Sequence, residues 1–237
     1  MSNFLNLNQS ESFMNSSNPV ISRPSAVIFD LDGTLLDTEP LYTEASQRTI
    51  ARWGKTFDLS LKKKTMGGDA RASAKIIIDH FDLPLDPEEY VRLRETHLVD
   101  LFKTAPEILG AGDFVTHLHE RHIIQGIATS SHQHLCELKL ETRTWKGFFH
   151  TIICGDHPNL EKSKPAPDIF LLCARTLGIN AESCLVFEDS PKGIQAARDA
   201  GMQVIAINSP WVEDEDLAEA HLIIDNFQQM KELAIDW

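Results

Sequence analysis

The chain has 237 residues, enough for one large domain or two small ones, and its 42% hydrophobic and 24% charged residues with 12 Gly and 11 Pro exclude a disordered or fibrous protein. Its 22 basic and 35 acidic residues give a net charge of −13, and the pI is near 5.1, which argues against nonspecific binding to nucleic acid or to an anionic membrane. The only basic run, Lys62-Lys63-Lys64, is too short to invert that field, so a phosphate-bearing substrate would need a local cation.

Residues 1–24 are rich in Asn and Ser, hold a single Arg (Arg23), and lack the basic start and apolar block of a secretory signal, so they are expected to form a disordered leader. From Ser25 the apolar run Ala26-Val27-Ile28-Phe29 stops abruptly at Asp30-Leu31-Asp32-Gly33-Thr34, the pattern of a strand buried on both faces followed by a loop. Residues 38–106 then read as helices, over Leu41–Trp53, Ala70–Phe81 and Pro87–Phe102. Strands are predicted over 123–128, 151–154, 184–187, 204–207 and 222–224, with helices between them over 112–121, 132–142, 168–177 and 191–200. Alternating strands and helices mean parallel βαβ units, hence an α/β fold with a doubly wound parallel sheet formed by residues 25–37 and 107–237. The helical stretch 38–106 enters after the first strand and is expected to be a second, all-helical unit above the carboxyl edge, where open α/β sheets bind ligands.

No apolar stretch reaches the roughly 18 residues of a membrane span, so a soluble protein is expected. Cys136, Cys154, Cys173 and Cys184 stand far apart without a CxxC pair, which suits a reducing cytoplasm. Nothing in the pattern demands more than a monomer.

Four short segments follow four of the predicted strands, and each supplies a group that phosphoryl transfer through an aspartyl intermediate needs. In Asp30-Leu31-Asp32-Gly33-Thr34, Asp30 suits a carboxylate nucleophile and Asp32 an acid/base, while Gly33 would let backbone N–H groups approach phosphoryl oxygens. In Thr129-Ser130-Ser131, hydroxyls and backbone N–H groups can hold phosphate at a helix start. Lys164, braced by Pro165 and Pro167, can point an ammonium at the transferring group. Glu188-Asp189 offers hard carboxylate oxygens for Mg²⁺, and Ser190 with Pro191 opens a helix.

These four segments, in this order, resemble the motifs of the haloacid-dehalogenase superfamily of phosphohydrolases, over about residues 25–210. Within the family, the runs 30–39, 155–158, 164–170 and 186–191 are most similar to pseudouridine-5′-phosphatases and glycerol-3-phosphate phosphatases, with β-phosphoglucomutases next. The resemblance implies Asp30 as nucleophile, Asp32 as acid/base, and Mg²⁺ held by Asp30, the Asp32 backbone carbonyl, Asp189 and Glu188. It also implies that residues 38–106 form a helical cap, whose specificity loop at Gly67-Gly68-Asp69 would bring Gly68 and Arg71 to the substrate. The expected function is Mg²⁺-dependent hydrolysis of a small phosphorylated metabolite.

A sugar-phosphate mutase shares every core motif and is the alternative. Dehalogenase chemistry needs no metal and would leave Asp32 without a role, and a binding module would need no nucleophile beside an acid/base. The clusters His117, His119, His122 and His132, His134 lack the spacing of a metal site, although His132 and His134 sit near the expected mouth. Trp145, Trp211 and Phe148 read as packing residues.

Overall fold

A computed structural model describes residues 21–65, 70–231, 233, 235 and 237. Ala26-Val27-Ile28-Phe29 has no polar side chain to keep in water, and all four residues are fully buried as β1 (Ala26–Phe29). β2 (Ile124–Ala128), β3 (Thr151–Ile153), β4 (Cys184–Glu188), β5 (Gln203–Ile207) and β6 (Leu222–Ile224) complete a six-stranded sheet, every pairing parallel, in the order β3-β2-β1-β4-β5-β6. The chain runs outward from β1 to β3 on one side, then returns to β4 on the other. The switch point therefore lies at β1, and the crevice beyond its carboxyl end is where such sheets take ligands.

Successive side chains of a strand point to opposite faces, so strands apolar throughout need cover on both. Val27, Phe29, Leu185, Phe187 and Ile205 face α5 (Ala111–Glu120) and the segment after β6, where Phe227 lies. Phe29 stacks on Phe187 with centroids 5.2 Å apart, and Phe114 on Phe227 at 5.3 Å. Ala26, Ile28, Val186, Val204 and Ala206 face α7 (Asp168–Leu177) and α8 (Pro191–Asp199). Gly178, with φ +73°, ends α7 in the left-handed conformation that glycine adopts without steric cost. Upstream of β1, Ile21 packs against the first of these layers and the Ser22 N–H donates to Gln203 Oε1 at 2.7 Å. The rest of the expected leader, residues 1–20, lies outside the described residues.

Between β1 and α5 come α1 (Glu39–Ala51), α2 (Leu59–Thr65), α3 (Ala70–Phe81) and α4 (Pro87–Phe102). Asp86 caps α4 by accepting from the Glu89 N–H, with Pro87 in its first turn. These helices share a small core of Ile50, Leu61, Ala74, Ile77, Leu83 and Tyr90. A second cluster of Ala45, Leu98, Phe102 and Leu135 joins the insert to α6 (Gln133–Leu140). The seven residues of α2, which carry the basic run, are too few and too polar to show helical periodicity in the sequence. Among the described residues no helix is long and apolar enough to cross a membrane, and the four cysteines are buried thiols rather than disulfides.

Candidate active site

Parallel register sets the chemistry. Phe29 pairs with Ile127 on one side and Phe187 on the other, so Asp30, the Ala128–Thr129 step and Glu188–Asp189 emerge side by side at the carboxyl edge. Asp30 is anchored by its N–H, which donates to the Phe187 carbonyl at 2.9 Å. Lys164, from the loop before α7, reaches the same point: its Nζ donates to Asp30 Oδ1 at 2.6 Å, Glu188 Oε1 at 2.7 Å and the Ala128 carbonyl at 3.2 Å. Burial alone would pull this ammonium down, but Asp30 and Glu188 together hold it above the ordinary lysine range.

The acids divide the work. Glu188 Oε2 accepts from the Asp189 N–H at 2.8 Å, the Ser190 N–H at 2.7 Å and the Ser190 hydroxyl at 3.0 Å, so this carboxylate is bound into the start of α8. Gly193 must lack a side chain, because a Cβ there would collide with that carboxylate. Ser190 caps α8 as the sequence predicts, accepting from the Gly193 N–H. Asp189 instead faces the Asp30 loop and accepts from the Thr34 hydroxyl at 3.2 Å. Burial pushes the Asp30 carboxyl up to about 7, opposed by Lys164 and reinforced by Glu188 and Asp32. Asp189 is raised well above the usual range by burial, with repulsion from Glu188 and Asp30 added.

The N–H of Gly33 itself donates to the Leu36 carbonyl at 2.7 Å, because the loop folds back on itself. The residue has φ +85°, and an added Cβ would strike the Asp189 carboxylate. Glycine here lets Asp189 lie against the loop that carries Asp30.

Asp32 sits in a separate network. Its Oδ1 accepts from Lys139 Nζ at 2.5 Å and the Thr38 hydroxyl at 2.7 Å, and its Oδ2 from the Ser131 hydroxyl at 2.7 Å and the Thr129 hydroxyl at 3.4 Å. Lys139, fully buried on α6, also donates to Ser131 Oγ at 2.7 Å and the Tyr42 hydroxyl at 3.1 Å. Burial would raise the Asp32 carboxyl, but the Lys139 ammonium and these hydrogen bonds outweigh it and hold the group below its usual value. Thr129 and Ser131, expected on phosphate, thus brace Asp32 in this structure. Ser130 lies exposed at the cavity, its carbonyl so close to Gly155 that no Cβ would fit there.

Residues 27–207 match the family model described as haloacid dehalogenase-like hydrolase. The chain belongs to this family. It is 35% identical over 218 residues to a protein of Drosophila melanogaster named probable pseudouridine-5′-phosphatase, covering 90% of this chain and 94% of that one. It is 38% identical over 211 residues to (DL)-glycerol-3-phosphatase 2 of Arabidopsis thaliana, covering 86% and 88%. The crystal structure of CbbY from Rhodobacter sphaeroides in complex with phosphate superposes with a TM-score of 0.78 at 25% identity, covering 87% of this chain and 96% of that one. As a hydrolase of this family with relatives named phosphatases, the chain is a phosphoric monoester hydrolase.

In this member of the haloacid dehalogenase-like hydrolases, a cavity of about 440 Å³ opens on Asp30 and Asp32, with α1–α4 forming its opposite wall. Gly68 lies outside the described residues. Arg71 is not brought to the cavity: its side chain is 74% exposed and paired with Glu88 at the start of α4, because its place on α3 faces outward. The wall carries instead Glu39, Tyr42, Lys62 and Arg94, none of which the sequence singled out for the site. Lys62, from the basic run, is buried; its Nζ donates to the Thr43 hydroxyl at 2.8 Å and lies 3.7 Å from the centroid of the Trp211 ring. Trp211 thus joins α2 to the segment that follows β5. Glu39 is raised by burial, partly offset by Lys62.

The histidines form no metal site: His119 stacks on Phe148 at 3.9 Å, His134 lies 3.6 Å from Glu95, and among the described residues no three His, Cys, Asp or Glu side chains form a metal cage. The sequence carries a signal for Lys139. Leu135, Cys136, Lys139 and Leu140 share the buried stripe of α6, and a lysine on that stripe requires an acidic partner.

Proposed function

We propose that the chain is a Mg²⁺-dependent phosphatase of small phosphorylated metabolites that works through a phosphoaspartyl intermediate on Asp30. The observation that carries this reading is the separation of two aspartates two residues apart: Asp30 faces Asp189 and Lys164, whereas Asp32 is held by Lys139, Thr38 and Ser131. A nucleophile and an acid/base need such different surroundings.

The donor set fits Mg²⁺. Asp30 and Asp189 are buried carboxylates raised by burial and by mutual repulsion, a combination that a divalent cation between them would relieve. Mg²⁺ keeps several waters and takes only one or two carboxylates plus substrate phosphate, so no cage of three acids is needed. Asp30, Asp189 and the Asp32 carbonyl would hold the ion, and Glu188 supports the site by fixing Lys164. Bound there, Mg²⁺ would neutralise charge between the phosphoryl oxygens and the carboxylates.

In the first step the Asp30 carboxylate attacks phosphorus, the bond to the leaving oxygen breaks, and that oxygen takes its proton through Asp32, which has first drawn it from solvent because Lys139 holds the resting carboxylate ionised. In the second, Asp32 takes a proton from water, which hydrolyses the acyl phosphate. Lys164 stabilises charge on the transferring group throughout. Residues 38–106 act as the cap, with Trp211 against Lys62 marking its contact with the sheet domain. A cavity of about 440 Å³ admits a small metabolite. The relatives named for pseudouridine-5′-phosphate and glycerol-3-phosphate set the range to be tried first. A cytoplasmic monomer acting without nucleic acid or membrane belongs to the same reading.

The test is release of inorganic phosphate from a panel of phosphorylated metabolites. Release that EDTA abolishes and Mg²⁺ restores is expected; release indifferent to EDTA, or none from any compound, contradicts the proposal. Conversion of β-glucose-1-phosphate to glucose-6-phosphate without free phosphate would make the chain a mutase.

A further inference from the structure

Arg94 of α4 lines the same cavity as Asp30 and Asp32, and only 8% of it is exposed. Its Nε has no hydrogen-bond partner among the described residues. Of the described acids on this wall, Glu39 lies 3.6 Å from Lys62 and Glu95 3.6 Å from His134. What surrounds the guanidinium is aromatic: its Cζ lies 5.6 Å from the Tyr42 ring centroid and 5.9 Å from that of Tyr90. A ring face attracts a cation but fills none of the five donors of the planar fork. Burying the Nε–H without an acceptor is costly, so a ligand that brings oxygens to this guanidinium completes the site.

Tyr42 places this fork relative to the chemistry. Its hydroxyl is 3.1 Å from Lys139 Nζ, which is itself 2.5 Å from Asp32, and its ring lies beneath Arg94. A monoester with its phosphoryl group at Asp30 and its leaving oxygen at Asp32 therefore extends its leaving group past Tyr42 toward Arg94. We infer that Arg94 is a specificity-determining residue that binds acceptor oxygens on the leaving group, so that the substrate is the phosphate monoester of a hydroxyl- or carboxylate-bearing compound rather than of an apolar alcohol or a phenol. The orientation of the ester rests on the phosphatase reading above. Donors in a guanidinium fork match a pair of oxygens, and a lysine at the same place would match only one.

Binding is measured by calorimetry in the Asp30→Asn background, where esters stay intact, with Mg²⁺ present and Arg94 either kept or changed to Met. Glycerol-3-phosphate offers hydroxyls, 3-phosphoglycerate a carboxylate, and phenyl phosphate neither. Arg94→Met is expected to weaken the first two by about 10- to 100-fold, and phenyl phosphate by about tenfold less than that. Arg94→Lys should restore part of the loss, and unchanged melting temperatures separate this from misfolding. A larger loss on the carboxylate ester assigns an anionic leaving group; a larger loss on glycerol-3-phosphate assigns a neutral one. Equal weakening of all three esters, no weakening, or no preference of the Arg94 protein for the oxygen-bearing esters overturns the inference. If the unmodified protein releases no phosphate yet Arg94-dependent binding persists, the phosphatase reading fails and the Arg94 assignment stands.

Discussion

Two buried lysines reach the loop after β1 from opposite sides, and their surroundings differ in a way that separates the roles of two neighbouring aspartates. Lys164, its side chain 6% exposed, is shared between Asp30 and Glu188, with Asp189 close by, so three acids crowd one cation. Lys139, fully buried, meets one acid, Asp32, whose two oxygens accept from four donors. The first cluster is short of positive charge, as the proposed nucleophile and divalent ion would require. The second is already neutral and hydrogen-bonded, so its carboxylate is fixed in place before any substrate arrives. One sequence element, Asp30-Leu31-Asp32, thereby acquires two chemistries from what α6 and the loop before α7 bring to it.

Breaking each half in turn tests that difference, beginning with the larger effect. Lys164→Met removes the only ammonium bonded to Asp30 among the described residues, and kcat for phosphate release is expected to fall by about 10²–10³-fold, the loss seen when one stabilising donor is removed. A fall below tenfold would show that the crowded acids do not depend on it. Lys139→Met frees the Asp32 carboxylate from its closest donor. It should lower kcat by about 10- to 100-fold with KM little changed, since acid/base positioning is lost while the phosphate site stays intact. A rise in KM with kcat preserved would place Lys139 in substrate binding instead. Arg71→Ala marks the lower limit: its partner Glu88 is also exposed, and surface ion pairs contribute about 0–1 kcal/mol, so melting temperature and kcat/KM should stay near those of the unmodified protein.

The same comparison shows what the sequence carries and what it leaves out. All six strands announce themselves, because a central strand such as Ala26–Phe29 must be apolar on both faces. Helices α3 and α4 begin and end where the periodicity of Ala70–Phe81 and Pro87–Phe102 does. Lys164 is legible because flanking prolines and its place after β3 mark it. Lys139 is not, since within an amphipathic helix its significance depends on which acid lies across the fold, a contact 107 residues away in the chain. Lys62 and Arg94 are hidden for the same reason, and Arg71, charged and beside the expected loop, attracts attention that its outward-facing position does not support. Gly33 shows the subtler case: the sequence identifies the glycine, and the structure adds a reason no local pattern could carry, the Asp189 carboxylate 156 residues further on that a Cβ would strike.

Acid-quenched enzyme mixed with Mg²⁺ and a turned-over ester, digested and weighed by mass spectrometry, addresses the covalent step itself. The account predicts one added phosphoryl group on the peptide that carries Asp30, abolished in Asp30→Asn together with phosphate release. A phosphoryl group on any other residue, or full turnover by Asp30→Asn, would contradict it.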